Sequence, residues 1–436
     1  MERLIKSDCK SLIKVVDVDI LKVGAASAEI DYDRSMVIGG GILPRYASAE
    51  EGKLRASAVI IERNIKVCIV SCDVLALKKD FVDDVCLEIE RKNGIPFENI
   101  LICATHTHHA PTTITIHGYE KDDRFLENVK KSILSAVEMA EERMDEAAMN
   151  FWLGIESTVG QNSRLLLSDN TIYWYGPRDD AIRPTAPFDS DLPVITFKRK
   201  NGKVEALLFN HSTHNIGTRI PDAYSPGFYG LAAQELESEL GGTTLFLPGA
   251  SGSTHNLELS ADEMIIRIKS AVKEALSESR LRTVQRIASV KHEFEYRVRR
   301  FDEKKEDDAV TYYCNKRLEN PGPIIEVFRK MRRELSKNQG EKRKTWIHVI
   351  LLGDIALVGV PGELFTKLGI KIKRLSPLRY TYIIELANDW IGYIPDLEAY
   401  DLGGYQVWTG FHSYVERGTG EAIVEKAVET LSDLYP

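Results

Sequence analysis

The chain lacks several features that would place it in a specialised class of protein. It has no basic excess, because 57 Lys and Arg side chains are outnumbered by 65 Asp and Glu, which leaves a formal net charge of -8. A broad nucleic-acid surface needs such an excess, so nucleic acid is not an expected partner. No apolar run approaches the length of a membrane-spanning helix, about 18 residues. The first residues also carry no apolar stretch of signal-peptide length, so we expect a cytoplasmic location.

Cysteine is sparse and is not placed for ligation. None of the six cysteines lies in a Cys-x-x-Cys turn, and most of them interrupt apolar runs; they are Cys9, Cys68, Cys72, Cys86, Cys103 and Cys314. Small core residues have this pattern. The sequence therefore predicts neither a disulfide framework nor a thiolate zinc site.

Strand-like and helix-like patterns alternate loosely along the chain. Apolar runs at 56–62 and 65–71 predict a hairpin, the run 171–176 (TIYWYG) predicts a strand, and 123–145 predicts an amphipathic helix on a sheet. No internal repeat or Pro/Gly/Ser-rich linker interrupts these patterns. We therefore predict one α/β domain over residues 1–436, with mixed β-sheets flanked by helices. The strongly charged segment 301–345 is predicted to be a solvated helical insertion.

Histidines follow three apolar strands. His106 and His108 come after NILICA, His211 and His214 come at and after the end of EALLFNH, and His255 lies in a Gly/Ser-rich loop after TTLFL. Strand ends hold side chains rigidly, and residues i and i+2 of an extended chain point the same way, so His106 and His108 could face one site. One such cluster alone could be a surface or core feature. Three together predict a convergent site, and imidazole is a common zinc ligand.

Two further motifs lie near the C-terminus. Val360-Pro361-Gly362-Glu363 places a carboxylate directly after a strong apolar strand. The segment from Asn388 to Tyr405 is rich in glycine and tyrosine, which is typical of an active-site rim. Histidine and carboxylate ligands without cysteine favour a catalytic metal over a structural one, although iron, manganese, nickel or cobalt would suit the same ligands.

As an ordered set, these motifs resemble the neutral/alkaline non-lysosomal ceramidase family. The set comprises THTHHAP at 105–111, FNHSTHNIGT at 209–218, PGE at 361–363, NDWIGY at 388–393 and GGY at 403–405. The resemblance covers roughly residues 20–420 and implies a neutral-ceramidase-like catalytic domain. The chain ends soon after the matched part, so the expected relatives are the short microbial members with this domain alone.

The resemblance also implies roles for individual residues. It implies that His106, His214, Glu363 and Tyr393 bind zinc, with His211 as the competitor of His214, and that His108, Arg164 and Tyr405 are catalytic. His255 stands where the family has a serine, so it is expected to be a catalytic proton carrier or an additional metal ligand. A serine-assisted mechanism and ceramide as the substrate are therefore not expected.

The expected activity is hydrolysis of a C–N amide bond in a small molecule by zinc-activated water. Zinc, Tyr405 and Arg164 would stabilise the oxyanion, and His108 or His255 would protonate the leaving amine. Asp73, at a strand end, either orients a ligand or caps a helix. Two alternatives stay open: a metal-dependent hydrolase of an ester, lactone or cyclic amide, and a non-catalytic metal-binding protein. The oligomeric state is not predicted.

Overall fold

A computed structural model describes residues 21–435 of the chain, so Cys9 lies outside the described residues. The strands are β1 (Leu21–Glu29), β2 (Ala49–Glu50), β3 (Arg55–Glu62), β4 (Lys66–Cys72), β5 (Ile100–Ala104), β6 (Asp145–Ile155), β7 (Gln161–Asn162), β8 (Leu165–Leu167), β9 (Ala181–Pro184), β10 (Asp191–Arg199), β11 (Val204–His211), β12 (Ala223–Tyr224), β13 (Thr243–Pro248), β14 (Thr254–His255), β15 (Arg280–Leu281), β16 (Ile287–Arg297), β17 (Lys342–Leu352), β18 (Ile355–Gly359), β19 (Glu363–Leu364), β20 (Tyr380–Ile384) and β21 (Tyr393–Ile394). The helices are α1 (Lys79–Asn93), α2 (Asp123–Glu142), α3 (Gly227–Leu240), α4 (Ala261–Glu278), α5 (Glu303–Arg317), α6 (Pro321–Leu335), α7 (Thr366–Leu375), α8 (Leu397–Leu402) and α9 (Thr419–Leu434). Among residues 21–435, no helix has the length and apolar character needed to span a bilayer.

Two mixed sheets form the centre of the molecule. The larger has the strand order β13-β11-β10-β6-β1-β3-β4-β5, with β15 beside β6, and the smaller has the order β16-β17-β18-β20. The pairs β4–β5, β11–β13 and β18–β20 are parallel, and their neighbours in the sheets are antiparallel. The predicted mixed-sheet architecture is confirmed, and the predicted hairpin at 56–71 is β3–β4.

The sheets pack against each other, and helices cover their outer faces. Along β18, Ile355 and Leu357 join an apolar cluster between the sheets, whereas Ala356 and Val358 join the cluster on the other face. This alternation is the period of two that a strand buried on both faces requires. Helices α1–α4 cover the larger sheet, and α5, α6, α7 and α9 cover the smaller one. The flanking helices of the prediction are thus also confirmed.

The strand predicted at 171–176 does not form; within this segment Ile172 alone pairs, in an isolated antiparallel bridge with Leu166. The hydroxyl of Tyr313, on α5, accepts the backbone N–H groups of Trp174 at 2.8 Å and Tyr175 at 3.2 Å. Those groups are therefore not free to pair with a neighbouring strand. The segment runs as an irregular loop that presents three consecutive aromatic side chains.

The charged segment 301–345 contributes helices α5 and α6 and the start of β17. One face of this helix pair is buried in the cluster outside the smaller sheet, and Phe328 of α6 is fully enclosed there. Some of the charged side chains form salt bridges between the two helices. The guanidinium of Arg332, which is fully buried, lies 2.9 Å from Glu303 and 2.7 Å from Asp307. The segment is therefore helical without being exposed to solvent on all sides.

Candidate active site

Five strand ends bring polar side chains to one place between the sheets. His106 and His108 follow β5, His214 follows β11, His255 lies after β13, Glu363 follows β18, and Tyr393 follows β20. Glu363 and Tyr393 are direct register partners in the short parallel pair β19–β21. Sheet pairing thus fixes the spacing of these two side chains, although they are far apart in the sequence.

The side chains meet at their metal-ligating atoms. The ring nitrogens offered by His106, His108 and His214 lie within 4.8 Å of one another. Nε2 of His106 is 3.2 Å from Nε2 of His108 and 3.4 Å from Oε2 of Glu363. Nε2 of His214 is 3.2 Å from both Oε2 of Glu363 and the hydroxyl of Tyr393. We call His106, His214, Glu363 and Tyr393 the ligand wall.

Three members of the ligand wall, His106, His214 and Glu363, are also held by hydrogen bonds from outside the site. Nδ1 of His106 is 2.8 Å from the carbonyl of Leu75, and Nδ1 of His214 is 2.9 Å from the carbonyl of Ser251. A carbonyl only accepts, so both Nδ1 atoms carry the hydrogen and both Nε2 lone pairs point inward. Trp390 Nε1–H donates to Oε1 of Glu363 at 2.9 Å, which leaves Oε2 for the interior. Converging lone pairs held by such outer hydrogen bonds are the arrangement that a metal cation requires.

The electrostatics of the group favour an ionised Glu363 and neutral His108 and His214, whereas the pKa of His106 is raised, because the opposing effect of burial is outweighed by Glu363 beside it. Burial opposes ionisation of Glu363, yet His106 and His214 beside it hold the pKa of the carboxyl well below its usual range. Burial, reinforced by His106, lowers the pKa of His108 well below its usual range. Burial likewise lowers the pKa of His214, although Glu363 opposes that shift. Metal ligation requires these deprotonated forms.

His211 and His214 occupy different environments. Nδ1 of His211 bonds the hydroxyl of Tyr229, and its Nε2 lies 2.9 Å from the carbonyl of Glu156. Both nitrogens of His211 are therefore engaged elsewhere, whereas His214 points into the ligand wall. Asp73 accepts the hydroxyl of Thr105 at 3.2 Å and caps no helix, because α1 begins only at Lys79.

Arg164 is buried beneath the loop that carries Tyr405. Its guanidinium donates to the carbonyls of Gly403 at 2.6 Å and Ala399 at 3.3 Å and to Oε1 of Gln406 at 2.8 Å. Burial lowers the pKa of Arg164 to about 10, so it stays charged at neutral pH. The structure does not bring it into hydrogen-bond contact with the histidine group, and these bonds fit a role in positioning the loop.

His255 stacks on His214, with ring centroids 4.1 Å apart and an angle of 18° between the planes. Burial, with the nearby His214, lowers the pKa of His255 well below its usual range. The short pair β7–β14 holds His255 in place, opposite Gln161. Its ring also faces the cavity described next, so it is placed beside the ligand wall without being part of it.

A cavity of about 470 Å³ opens beside the ligand wall. His108, His255 and Tyr393 line it on the side of the ligand wall, and Tyr405 lines it beside Trp174. The other side is mainly apolar and is formed by the loop 173–175 together with Ile42, Ile216, Leu257 and Ile324. A small hollow of about 20 Å³ lies between Tyr405 and the ligand wall.

The sequence analysis missed three residues at this site: Trp174, Trp390 and His117. Trp174 stacks on Tyr405, and Trp390 supports Glu363. His117 bonds the hydroxyl of Tyr405. The available signals were weak: Trp390 lies inside the NDWIGY motif, and His117 follows the THTHHAP motif closely. Trp174 carried no such signal.

Solved structures of ceramidases share this fold. A neutral ceramidase from Pseudomonas aeruginosa has a TM-score of 0.73 and 16% identity, with 95% of this chain and 74% of that chain covered. A ceramidase complexed with C2 has a TM-score of 0.74 and 16% identity, with 95% and 75% covered. The likeness confirms the predicted neutral-ceramidase-like fold. No protein-family model and no curated protein sequence matches the chain.

Proposed function

We propose that this protein is a zinc-dependent hydrolase that cleaves the C–N amide bond of a small molecule. One observation carries the proposal: four ligand atoms converge beside a cavity large enough for a substrate, and outer hydrogen bonds orient three of the four side chains. Nitrogen and oxygen ligands with an open side are typical of catalytic zinc, whereas structural zinc is closed and usually bound by cysteine. The open side also favours this proposal over a non-catalytic metal-binding protein.

His106, His214, Glu363 and Tyr393 would hold the zinc ion. Bound zinc would supply a Lewis acid and make hydroxide available from water near neutral pH. The converging lone pairs fit this ion, since Nε2 of His106 and Nε2 of His214 both face Oε2 of Glu363, at 3.4 and 3.2 Å, and an ionised carboxylate has no hydrogen to place between them. This set of residues also supports descent from the neutral/alkaline ceramidase family, with residues 1–436 as one catalytic domain.

We assign proton transfer to His108, because it touches both the ligand wall and the cavity. Its depressed pKa leaves it neutral and able to accept a proton from water and pass it to the leaving amine. Gly40 permits this placement, because a Cβ at residue 40 would lie 2.3 Å from Nδ1 of His108. His255 is a second proton carrier on the same cavity, and Arg164 positions the loop of Tyr405.

The decisive experiment measures metal content and hydrolysis together. Purified wild type should contain about one zinc per chain, and His106→Ala and Glu363→Ala should lose it while staying folded. His292→Ala, which removes a histidine of β16 outside the site, is the matched control and should retain zinc. A panel of amides, esters and lactones then tests the bond type. Absence of metal, or metal unaffected by His106→Ala and Glu363→Ala, would contradict the proposal.

A further inference from the structure

The ring of Tyr405 is fixed between two other rings. Trp174 stacks on one side with centroids 4.7 Å apart and an angle of 6°, and His412 stacks with centroids 4.6 Å apart and an angle of 17°. Nε2 of His412 also bonds the backbone carbonyl of Tyr405 at 3.1 Å. Because the ring cannot tilt, the direction of the hydroxyl hydrogen is the main freedom left to this side chain.

His117 determines that direction. Its Nδ1 lies 3.0 Å from the carbonyl oxygen of Gly41, which only accepts, so Nδ1 carries a hydrogen. Burial lowers the pKa of His117 to about 4, so the ring is neutral at neutral pH and its Nε2 is bare. That Nε2 lies 3.1 Å from the hydroxyl of Tyr405. The phenol therefore donates its only hydrogen to His117.

We propose that Tyr405 faces the cavity as a hydrogen-bond acceptor, and that the substrate carries an N–H or O–H donor beside the bond to be cleaved. This inference rests on the proposed function, since it names the substrate class of the same site. It changes the expected role of Tyr405, because a phenol whose hydrogen is held by His117 has none to offer an oxyanion. Turning that hydrogen toward the cavity would leave a buried acceptor on His117 unsatisfied, which is unfavourable.

The tautomer of His117 can be measured without any substrate. In protein labelled with ¹⁵N-histidine, NMR should show His117 protonated at Nδ1 and bare at Nε2, with the signals assigned by their loss in His117→Asn. Tyr405→Phe should shift the Nε2 signal of His117. Tyr229→Phe is the matched control, because it removes an equivalent tyrosine–histidine bond, that of His211, away from the cavity. Protonation of His117 at Nε2 would overturn the proposal.

Binding of a matched ligand pair tests the acceptor itself. We expect N-butylacetamide, which has an N–H, to bind wild type about tenfold or more tightly than N-butyl-N-methylacetamide, which has none. In Tyr405→Phe the ratio should fall to about one. His117→Asn should lower the ratio too, because asparagine still donates to Gly41 but frees the phenol hydrogen. Tyr229→Phe should keep the wild-type ratio.

A ratio unaffected by Tyr405→Phe would contradict the proposal. Neither the NMR measurement nor the binding ratio requires turnover. Failure of this inference is therefore distinct from failure of the proposed amide hydrolysis, which the metal content and the panel of substrates test separately.

Discussion

The two sides of the site are built in different ways. The ligand wall comes from strand ends, and backbone carbonyls and strand register hold its atoms. The facing side, which we call the aromatic wall, is held by packing among side chains of a loop, helix α6 and the segment after α8; its members are Trp174, Phe328, Tyr405 and Trp408. Hydrogen bonds, mainly to backbone carbonyls, position the ligand wall, whereas contacts between packed rings position the aromatic wall.

This difference separates two properties that are often lost together. Changes in the ligand wall should alter metal binding with little effect on packing, because its anchors are backbone carbonyls and one indole N–H. Changes in the aromatic wall should alter stability and substrate fit but leave the metal in place. The two walls should therefore respond independently to substitution.

The largest effect is expected from His214→Ala. This substitution removes an inward lone pair of the ligand wall, so the variant should bind no zinc when zinc is supplied at stoichiometric amounts. His211→Ala is the natural control: it should keep zinc but lose stability, since Tyr229 and Glu156 each lose a partner. Elemental analysis of both proteins decides between the two histidines. Zinc lost only in His211→Ala would reverse the assignment.

Phe328→Ala should have the largest effect on the aromatic wall. Phe328 is fully buried and meets Trp174 and Trp408 edge to face, at 6.1 and 5.6 Å between centroids. Loss of a buried phenylalanine costs about 3–5 kcal/mol. We expect that loss in the free energy of unfolding, measured with denaturant, while the zinc content stays at the wild-type value. Phe328→Leu, which retains much of the volume, should cost less. Loss of zinc in Phe328→Ala would show that the walls are coupled.

Asp73→Asn should make the free energy of unfolding less dependent on pH. Asp73 accepts the backbone N–H of Arg55 at 3.0 Å and the hydroxyl of Thr105, the residue before His106. Burial raises the pKa of Asp73 to about 7, although Arg55 opposes the shift. The carboxyl of the unfolded chain titrates near 3.9. Asp73 therefore stabilises the fold least above pH 7, and the stability that it contributes is lost as the pH rises from about 4 to 7.

We therefore expect Asp73→Asn to gain stability relative to wild type over that pH range, by at most about 4 kcal/mol, since three pKa units correspond to that amount. Denaturant unfolding between pH 5 and pH 8 measures the difference. The surface variant Asp354→Asn should follow the wild-type profile. Phe328→Ala should lose the same amount of unfolding free energy at pH 5 and at pH 8, because the packing of the Phe328 ring involves no buried carboxyl. If the difference in unfolding free energy between Asp73→Asn and wild type were the same at pH 5 and at pH 8, the prediction would be contradicted.

The sequence was sufficient for features that depend on local pattern. Runs of alternating or continuous apolar residues predicted the hairpin β3–β4, and the helical periodicity at 123–145 predicted α2, which spans Asp123–Glu142. The candidate histidines could be named because each comes at or soon after an apolar run, whereas the roles of His106, His214, Glu363 and Tyr393 as ligands were implied by the family resemblance. An extended chain is expected at His106 and His108 from the sequence, whereas His106 has a φ of 61°. A turn at His106 brings its Nε2 close to Nε2 of His108, and the spacing of the two residues in the sequence does not predict that turn.

The aromatic wall could not be read from the sequence, because its contacts are not local. TIYWYG has the apolar composition of a strand, and only the distant Tyr313 shows why it is a loop. The bond between His117 and Tyr405 joins two loops that carry no periodic pattern. The same reason explains why Arg164 was expected at the reacting bond, whereas its hydrogen bonds hold the loop of Tyr405.

A comparison of two tryptophans, Trp390 behind the ligand wall and Trp408 within the aromatic wall, provides the finest test. Trp390→Phe keeps a ring at the position but removes the N–H that orients Glu363. Loss of such an outer hydrogen bond typically weakens metal binding by about 10- to 100-fold. Trp408→Phe removes an indole from the aromatic wall and should leave zinc affinity unchanged. Titration with zinc against a competing chelator measures both. Because the ring substitution is the same in each variant, an equal effect would mean that packing, rather than the bond to Glu363, sets the affinity of the site.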